Sequence, residues 1–244
     1  HKEYRRQRQM CIRDRYCITD RILVGYRNTL FYVVAGTAIS MFLTFLGAYA
    51  LSRKGWMGKR LVTLMIMFTM YFSGGIIAIY LWVQQLHMID TVWAILLPTA
   101  LSTYNLIVMR TAFANVPESL IEAARLDGAS EFTCLFRIVI PLSQATIAVV
   151  LLFYAVSRWN DWMSATIFLR TADLYPLQIF LREILLTSSA DNIISTSGGS
   201  TNTVALAETI KYATIVISTA PILCIYPFIQ RYFVTGVMIG GVKE

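Results

Sequence analysis

The chain carries little charge for its length. Only 14% of its 244 residues are charged and 57% are hydrophobic, whereas about a quarter of the residues in a soluble domain are charged. Its mean hydropathy is +0.59. This composition excludes an ordinary soluble domain and predicts an integral membrane protein.

Reactive and metal-ligating side chains are also scarce. The four cysteines, at positions 11, 17, 134 and 224, show no C-x-x-C spacing, and the chain has only two histidines. No cluster of acidic, His or Cys residues marks a catalytic centre. We therefore expect no disulfide framework, no metal site, no cofactor and no enzymatic activity.

The formal net charge of +7 does not by itself indicate a nucleic-acid partner. Eight of the 21 basic residues fall in the first 27 positions. A basic flank of this kind is typical of a membrane protein, where it influences orientation, so no nucleic acid binding is expected.

Long apolar runs fill most of the chain. A helix needs about 20 predominantly apolar residues to cross the hydrocarbon core of a bilayer. The predicted fold class is therefore all-α and polytopic. Five segments meet the requirement and are predicted to span the membrane: Thr29–Leu51, Leu61–Val83, Thr91–Met109, Ile138–Ser157 and Ala213–Ile229.

Two features inside these runs bear on packing. Gly36, Ser40 and Thr44 recur every four residues in the first run and form a seam on which another helix can pack closely. The sequence SGG at 73–75 interrupts the second run and Pro98 the third. Such breaks either are packing kinks or line a pathway.

Basic residues in the short loops predict the orientation. The loop SRKGWMGKR between the first two runs carries four basic residues and no acid, whereas the next connection, QQLHMID, carries no Lys or Arg. Because short cytoplasmic loops are enriched in Lys and Arg, the first loop is predicted to be cytoplasmic. Alternation then places 110–137 and 230–244 in the cytoplasm and 158–212 outside.

Residues 1–28 conflict with this orientation, because alternation places their eight basic residues outside the cell. The segment lacks the hydrophobic stretch of a signal peptide. We expect residues 1–17 to be a truncated or foreign start, followed from Ile18 by an ordinary lead into a span, with Asn28 capping the first membrane helix.

The loop before the fourth run predicts a helix, a bend and a second helix. Pro117 suits the first turn of a helix, because its missing N–H would have no intrahelical partner there. Asp127-Gly128 suits a helix stop with Gly128 in the left-handed conformation, and Ser130 suits the cap of the next helix.

The first of these helices presents a small apolar face of Leu120, Ala123 and Ala124 beside Glu122 and Arg125. Such a face fits a groove on a cytoplasmic partner. A helix lying flat on the inner membrane surface explains the same pattern, and the residues alone leave both interpretations open.

The spacing from Glu122 onward resembles a known family signature. It reads Glu-Ala-Ala, three residues, Gly128, nine residues and then Ile-Val-Ile-Pro, ending at Pro141. This resembles the EAA loop of permease subunits of binding-protein-dependent ABC importers, with Ile140 in place of the usual Leu. The stretches NTLFYVVAGTAISMFLTFLGAYALSR, WNDWMSATIFLRTADLYPLQIFLREIL and YPFIQRYFVTGVMIGGVKE are similar to the carbohydrate class, in particular the maltose- and oligosaccharide-type permeases.

The resemblance implies the permease fold of a type I ABC importer in the bacterial plasma membrane, with five of the usual six spans present and the first missing. Its implied partners are separate ATP-binding subunits, a second permease, an extracytoplasmic solute-binding protein and membrane lipid. The implied domains are an N-terminal segment 1–28, a permease domain 29–229 with coupling loop 110–137 and extracytoplasmic segment 158–212, and a tail 230–244. The implied ATPase-coupling residues are Glu122, Ala123, Ala124, Gly128 and Pro141.

Polar residues within the runs are few. Tyr104, Asn105 and Gln144 are candidates for hydrogen bonds to a sugar in the substrate path, or for contacts between helices.

No Asp or Glu lies in the middle of a run, which argues against a proton- or sodium-coupled carrier. The chain has no G-x-x-x-x-G-K-[ST] motif, so ATP would be hydrolysed by another subunit.

The sequence therefore predicts a transport subunit for a sugar or oligosaccharide. An importer of a non-sugar solute remains an alternative, as does a secondary carrier or channel, which the absent carboxylates disfavour. Within the outer segment, Trp159 and Trp162 are expected to be anchors at the membrane interface.

Overall fold

The computed structural model describes residues 2–53, 58–72 and 74–183, together with 185–186, 212–213, 215–216, 219–221 and 223. Side chains are described from residue 21 onward. These parts of the chain are helices joined by turns, and no strand occurs among them. The predicted all-α class is confirmed.

The first helix, α1 (Lys2–Ser52), is the element on which most of the others pack. Its part from Arg21 to Ser52 has a mean hydropathy of 1.9 and is long enough to cross a membrane, as predicted. The prediction that Asn28 caps this helix is wrong. Asn28 lies inside α1, and its amide nitrogen donates to the carbonyl oxygens of Asp173 at 2.6 Å and Tyr175 at 3.2 Å.

The second predicted span is not one continuous helix. The helices α2 (Lys59–Tyr71) and α3 (Gly75–Gln85) meet at an angle of 111°. The predicted interruption at 73–75 is present, and Gly75 has a φ of +75°, which glycine adopts at little cost. The predicted break is thus confirmed, and the two helices together are apolar and long enough to form one bent span.

The third predicted span, Thr91–Met109, is also divided. It consists of the short helix α4 (Val92–Leu96), a turn around Pro98, and α5 (Thr103–Ala114). Proline cannot donate a backbone hydrogen bond and clashes with the preceding turn, which explains the division. The predicted interruption at Pro98 is therefore present.

The fourth predicted span, Ile138–Ser157, begins inside one helical segment and ends inside another. The first segment contains α7 (Glu131–Cys134), a π-helical turn (Leu135–Val139) and α8 (Ile140–Leu142). It meets α9 (Gln144–Trp159) at 90°. The predicted span is therefore bent, which the sequence prediction did not include.

The described residues thus contain one helix long enough to cross a membrane, and up to three spans when each bent pair is counted as one. The sequence predicted five. Most of the fifth predicted span, Ala213–Ile229, and the whole tail 230–244 lie outside the described residues.

The remaining described helices include α6 (Glu118–Leu126), α10 (Trp162–Phe168), a 3₁₀ turn (Ala172–Leu174) and helical residues 177–183. The segment after α10 packs along the middle of α1. Tyr32 donates its hydroxyl to the carbonyl oxygen of Leu174 at 2.9 Å, and Thr29 accepts from the backbone N–H of Leu177 at 2.8 Å.

The two tryptophans of the outer segment have different surroundings. Trp159 is buried in a cluster with Leu177 and Leu181, so the prediction that it is an interface anchor is wrong. Trp162 packs against Arg182, whose guanidinium carbon lies 3.7 Å from the ring centroid. This is the geometry of a cation–π contact.

The largest hydrophobic core lies between the second half of α1 and the helices α5, α7 and α9. Its residues with no more than 1% exposure include Met109, Phe113, Leu135, Val139 and Val150. Because α6 and α7 also contribute to this core, the loop between α5 and α9 is packed against the membrane helices.

The predicted seam of small residues on α1 is confirmed as the contact with α9. A Cβ added at Gly36 would lie 3.0 Å from Nε of Arg158. Ser40 accepts a hydrogen bond from Nη2 of Arg158 at 3.4 Å, and Thr44 is hydrogen-bonded to the hydroxyl of Tyr154 at 2.8 Å. Small side chains therefore leave room for two long polar side chains of α9.

The Arg158 guanidinium is buried and fastens three helices together. Nη1 donates to the carbonyl oxygen of Ile95 at 2.9 Å and to Oγ1 of Thr99, and Nη2 donates to the carbonyl oxygens of Leu96 at 3.1 Å and Thr99 at 2.9 Å. The last carbonyls of a helix have no intrahelical donor. Arg158 supplies donors to the end of α4 and holds it against α1 and α9.

We expect Arg158→Met to lower the free energy of unfolding by roughly 2–4 kcal/mol, because it leaves buried carbonyls without donors. Thermal unfolding of the purified protein in detergent measures the change. Arg170→Met is the matched control, since the side chain of Arg170 is exposed. Equal stability of the two variants would contradict the clamping role of Arg158.

Candidate functional site

The helix α6 carries the first part of the predicted coupling site and is seated by one side chain. Ile121 is only 1% exposed and packs into the main core, with Ala124 partly buried against the same cluster. Glu122 and Ala123 are exposed, and Leu120 and Leu126 are exposed by 45% and 89%. The helix therefore has one face in the core and an uncovered face that contains both acidic and apolar groups.

The bend after α6 follows from Gly128. Its N–H donates to the carbonyl oxygen of Arg125 at 3.0 Å, and the N–H of Ala129 donates to that of Ala124 at 2.9 Å. These two bonds form a Schellman motif, in which the residue after the cap is left-handed. Gly128 has a φ of +82°, as predicted, and a Cβ there would meet no atom within 4 Å. The backbone conformation is therefore what favours glycine.

The predicted ends of the two short helices are confirmed. Pro117 occupies the N-cap of α6, one residue before the predicted first turn. Ser130 is the N-cap of α7 and accepts from the N–H of Thr133 at 3.3 Å. Pro141 is exposed and lies beyond the π-helical turn, in α8, so it is separated from the face of α6.

A chain of polar contacts connects this loop to α1. Arg125 and Glu131 form an ion pair across the bend, with Nη2 and Oε1 2.7 Å apart. The other carboxylate oxygen of Glu131 accepts from the hydroxyl of Tyr49 at 2.5 Å. Arg53 lies 4.9 Å from the centroid of the Tyr49 ring and donates to the carbonyl oxygen of Phe113 at 3.2 Å. The loop is thus attached to the ends of α1 and α5.

These contacts alter the electrostatics of the loop. The hydrogen bond from Tyr49, followed by that from Arg125, holds the pKa of Glu131 below its ordinary value. The same ion pair raises the pKa of Arg125. Both effects favour the charged forms, so the attachment is made by a carboxylate and a guanidinium.

Sequence reasoning missed Ile121, Tyr49 and the role of Glu131. Ile121 has a recognisable signal, because it lies three residues before Ala124 and residues at this spacing share a helix face. The contact between Tyr49 and Glu131 joins residues 82 positions apart and has no local signal.

Of the three residues predicted for the substrate path, two lie in one cavity and the third lies elsewhere. Tyr104 and Asn105 line an open cavity of about 710 Å³ between α5, α9 and the start of α10. Gln144 is exposed at the opposite end of α9 and is not part of its lining. We call this space the outer cavity; its other polar lining residues are Thr99, Ser102, Tyr154, Ser157, Arg158, Asn160, Asp161 and Ser164.

Several polar groups of the outer cavity already have partners within the protein. All four Arg158 bonds to Ile95, Leu96 and Thr99 point into the helices, and Asp161 accepts from the N–H of Ser164 at 3.1 Å as the cap of α10. The Tyr104 ring is 53% exposed and lies 6.2 Å from that of Phe153 between centroids. The cavity therefore offers aromatic surface and neutral polar groups to a ligand.

The attachment of Glu131 predicts a dependence on acid pH. Because its folded pKa is lowered from 4.5, the attachment adds stability above that pH and loses it as the pH falls through the lower folded value. We expect Tyr49→Phe to reduce this acid-dependent loss, since it removes the largest cause of the shift. Thermal unfolding measured between about pH 3 and pH 7 tests the difference.

Tyr71→Phe is the control for this experiment, because it removes the same hydroxyl from a side chain that is 78% exposed at the end of α2. The wild-type protein and the control should lose stability equally as the pH falls. An identical acid profile for Tyr49→Phe would show that the Tyr49 hydroxyl does not stabilise the Glu131 carboxylate.

Comparison with known proteins agrees with this architecture. Residues 36–239 match the family described as the binding-protein-dependent transport system inner membrane component. The polygalacturonan/rhamnogalacturonan transport system permease protein YtcP of Bacillus subtilis (strain 168) is 42% identical over 92% of this chain and 78% of its own length. The arabinooligosaccharides transport system permease protein AraQ of the same strain is 25% identical over 88% of this chain and 72% of its own.

A similar solved structure is that of a bacterial ABC transporter involved in the import of the acidic polysaccharide alginate. It matches with a TM-score of 0.77 and 33% identity over 87% of this chain and 75% of that chain. The likeness confirms the predicted permease fold of an ABC importer. The chain therefore belongs to the family of inner membrane components of binding-protein-dependent transport systems, and its place is the bacterial plasma membrane.

Proposed function

We propose that this permease imports a sugar or an oligosaccharide, and that it is driven by ATP hydrolysed on a separate subunit. The family membership gives the transport role. The substrate class is supported by relatives named for polygalacturonan, rhamnogalacturonan and arabinooligosaccharides, and by the likeness to the alginate importer. The same relatives disfavour a non-sugar solute.

The coupling part of the proposal depends on α6. In it, Glu122 and Ala123 dock into the ATPase, Ala124 supports them from the core side of the helix, and Gly128 sets the angle between α6 and α7. The observation that carries this role is the uncovered face of α6, where Leu126 is 89% exposed although Ile121, on the same helix, is fully buried. Leu120 is also 45% exposed on this helix, and neighbouring exposed apolar side chains mark a surface that a partner can cover. Ala124 would act mainly by close packing on the core.

Three kinds of protein partner follow from the proposed role: ATP-binding subunits, a second permease, and an extracytoplasmic solute-binding protein. No residue of α2 is buried, and both α2 and α3 carry many exposed apolar side chains. In a membrane protein such faces are covered by lipid or by another membrane helix. The second permease and lipid would share this surface.

The outer cavity is the proposed part of the substrate path within this chain. Ligand sites combine aromatic and apolar walls with a few placed polar groups. The outer cavity provides the exposed rings of Tyr104 and Phe153 beside the hydroxyl and amide groups of Ser102 and Asn105. Gln144 lies apart from this cavity and would contact the substrate only in another part of the path.

The substrate class is tested with the complete transporter reconstituted in vesicles. We expect its ATPase activity to rise when solute-binding proteins loaded with oligosaccharides are added, and to stay at its basal rate with binding proteins loaded with amino acids or phosphate. Stimulation by a non-sugar binding protein alone would contradict the sugar assignment while leaving the importer role in place.

The coupling role is tested by Gly128→Val. A side chain in the left-handed region costs roughly 1–2 kcal/mol, which is a factor of about 5–30 in an equilibrium. We expect sugar uptake to fall by about that factor, with normal membrane insertion measured by immunoblotting of membrane fractions.

Gly128→Asn is the matched control, because Asn also adds a side chain but tolerates the left-handed conformation. Its uptake should stay close to that of the wild type, since no atom lies within 4 Å of the added Cβ. If both variants transport normally, the bend at Gly128 has no part in coupling.

A further inference from the structure

A second cavity, separate from the coupling site and the outer cavity, lies between the start of α2 and α5. Its volume is about 480 Å³, and three basic residues line it: Lys59, Arg60 and Arg110. No Asp or Glu is among its lining residues, which otherwise are Gly58, Thr63, Leu64 and Met67. We call it the basic cavity.

Two of the three basic side chains are held in place by backbone groups. Lys59 donates to the carbonyl oxygens of Ser52 at 3.2 Å and Arg53 at 3.0 Å. Arg110 donates through Nε to the carbonyl oxygen of Leu51 at 3.3 Å. The end of α1 therefore fixes positive charge beside the cavity, and Arg60 adds an exposed guanidinium.

The start of α2 adds to this positive potential. Gly58 occupies its N-cap without a side-chain hydrogen bond, and the first turn of the helix contains no acidic residue. The first N–H groups of a helix lack intrahelical partners and carry the positive end of its dipole. An anion at this position would therefore be favoured both by three side chains and by the helix.

An apolar surface continues directly from the basic cavity. Arg60, Leu64 and Met67 follow one another at spacings of four and three residues, so they lie on one face of α2. Leu64 is 63% exposed and Met67 is 46% exposed. Since α2 belongs to a membrane protein, this face offers a track for a hydrocarbon chain that begins at the positive charges.

We propose that the basic cavity binds the headgroup phosphate of an anionic phospholipid, with one acyl chain lying along Leu64 and Met67. Basic pockets between membrane helices are suited to anionic headgroups. A free phosphate ion would use the positive charges alone and would gain nothing from the apolar face. A phospholipid uses both.

The test uses the full chain in its purified transporter, with bound lipid counted by native mass spectrometry after addition of phosphatidylglycerol or phosphatidylcholine. We expect phosphatidylglycerol to bind more tightly than phosphatidylcholine. The double variant Arg60→Gln/Arg110→Gln should bind phosphatidylglycerol roughly thirtyfold more weakly, since each basic residue near an anionic surface contributes about 1 kcal/mol. Arg170→Gln, an exposed position far along the chain, should bind as the wild type does.

A second double variant, Arg60→Lys/Arg110→Lys, keeps the charge and should retain most of the binding, which separates loss of charge from misfolding. Inorganic phosphate should not displace phosphatidylglycerol; displacement would mean that the site recognises phosphate rather than lipid. Equal binding of both lipids, or unchanged binding by the Gln variant, would overturn the proposal. So would a Gln variant that keeps phosphatidylglycerol but no longer copurifies with the ATPase, because the cavity would then belong to a protein interface.

Discussion

A guanidinium buried among helices, with peptide carbonyls as its main acceptors, holds the membrane part of this protein together. Arg158 reaches the end of α4 and Ser40 of α1 from its own helix, α9. Such a group is stable in an apolar environment only when its donors are satisfied. Its position therefore fixes three other features: a helix that ends at Leu96, a glycine at position 36, and a small polar residue at position 40.

The sequence predicted the local features well because their causes are local. The left-handed Gly128, the cap at Ser130 and the seam of Gly36, Ser40 and Thr44 all follow from the conformational preferences or size of single residues. Hydropathy located the apolar runs but not the angles within them, because it measures composition and carries no information on bends. Pro98 and the glycines at 74 and 75 marked two of the divisions, and Pro141, a signal of the same kind that was missed, lies two residues before the 90° bend at Ser143.

In the candidate site, local residues determine where the helix α6 lies, whereas contacts between residues far apart in the chain determine how it is attached. Pro117 and the stop at Asp127-Gly128 predicted α6, and the helix lies between them. The contacts that attach it to the protein, from Tyr49 to Glu131 and from Arg53 to Phe113, join residues far apart in the chain. Which side of α6 is free was therefore decided by tertiary packing of Ile121, a residue to which the motif gives no special status.

The bend at Ser143 has a mechanical consequence. The segment Glu131–Leu142 meets α9 at a right angle, so a displacement of that segment along its own axis is perpendicular to the axis of α9. In such a pair, a push along the axis of the first segment rotates the second helix instead of sliding it along its axis. If the ATPase moves the segment near Glu131, as the proposed coupling role requires, α9 would tilt. The same helix carries Tyr154 and Arg158 on the wall of the outer cavity.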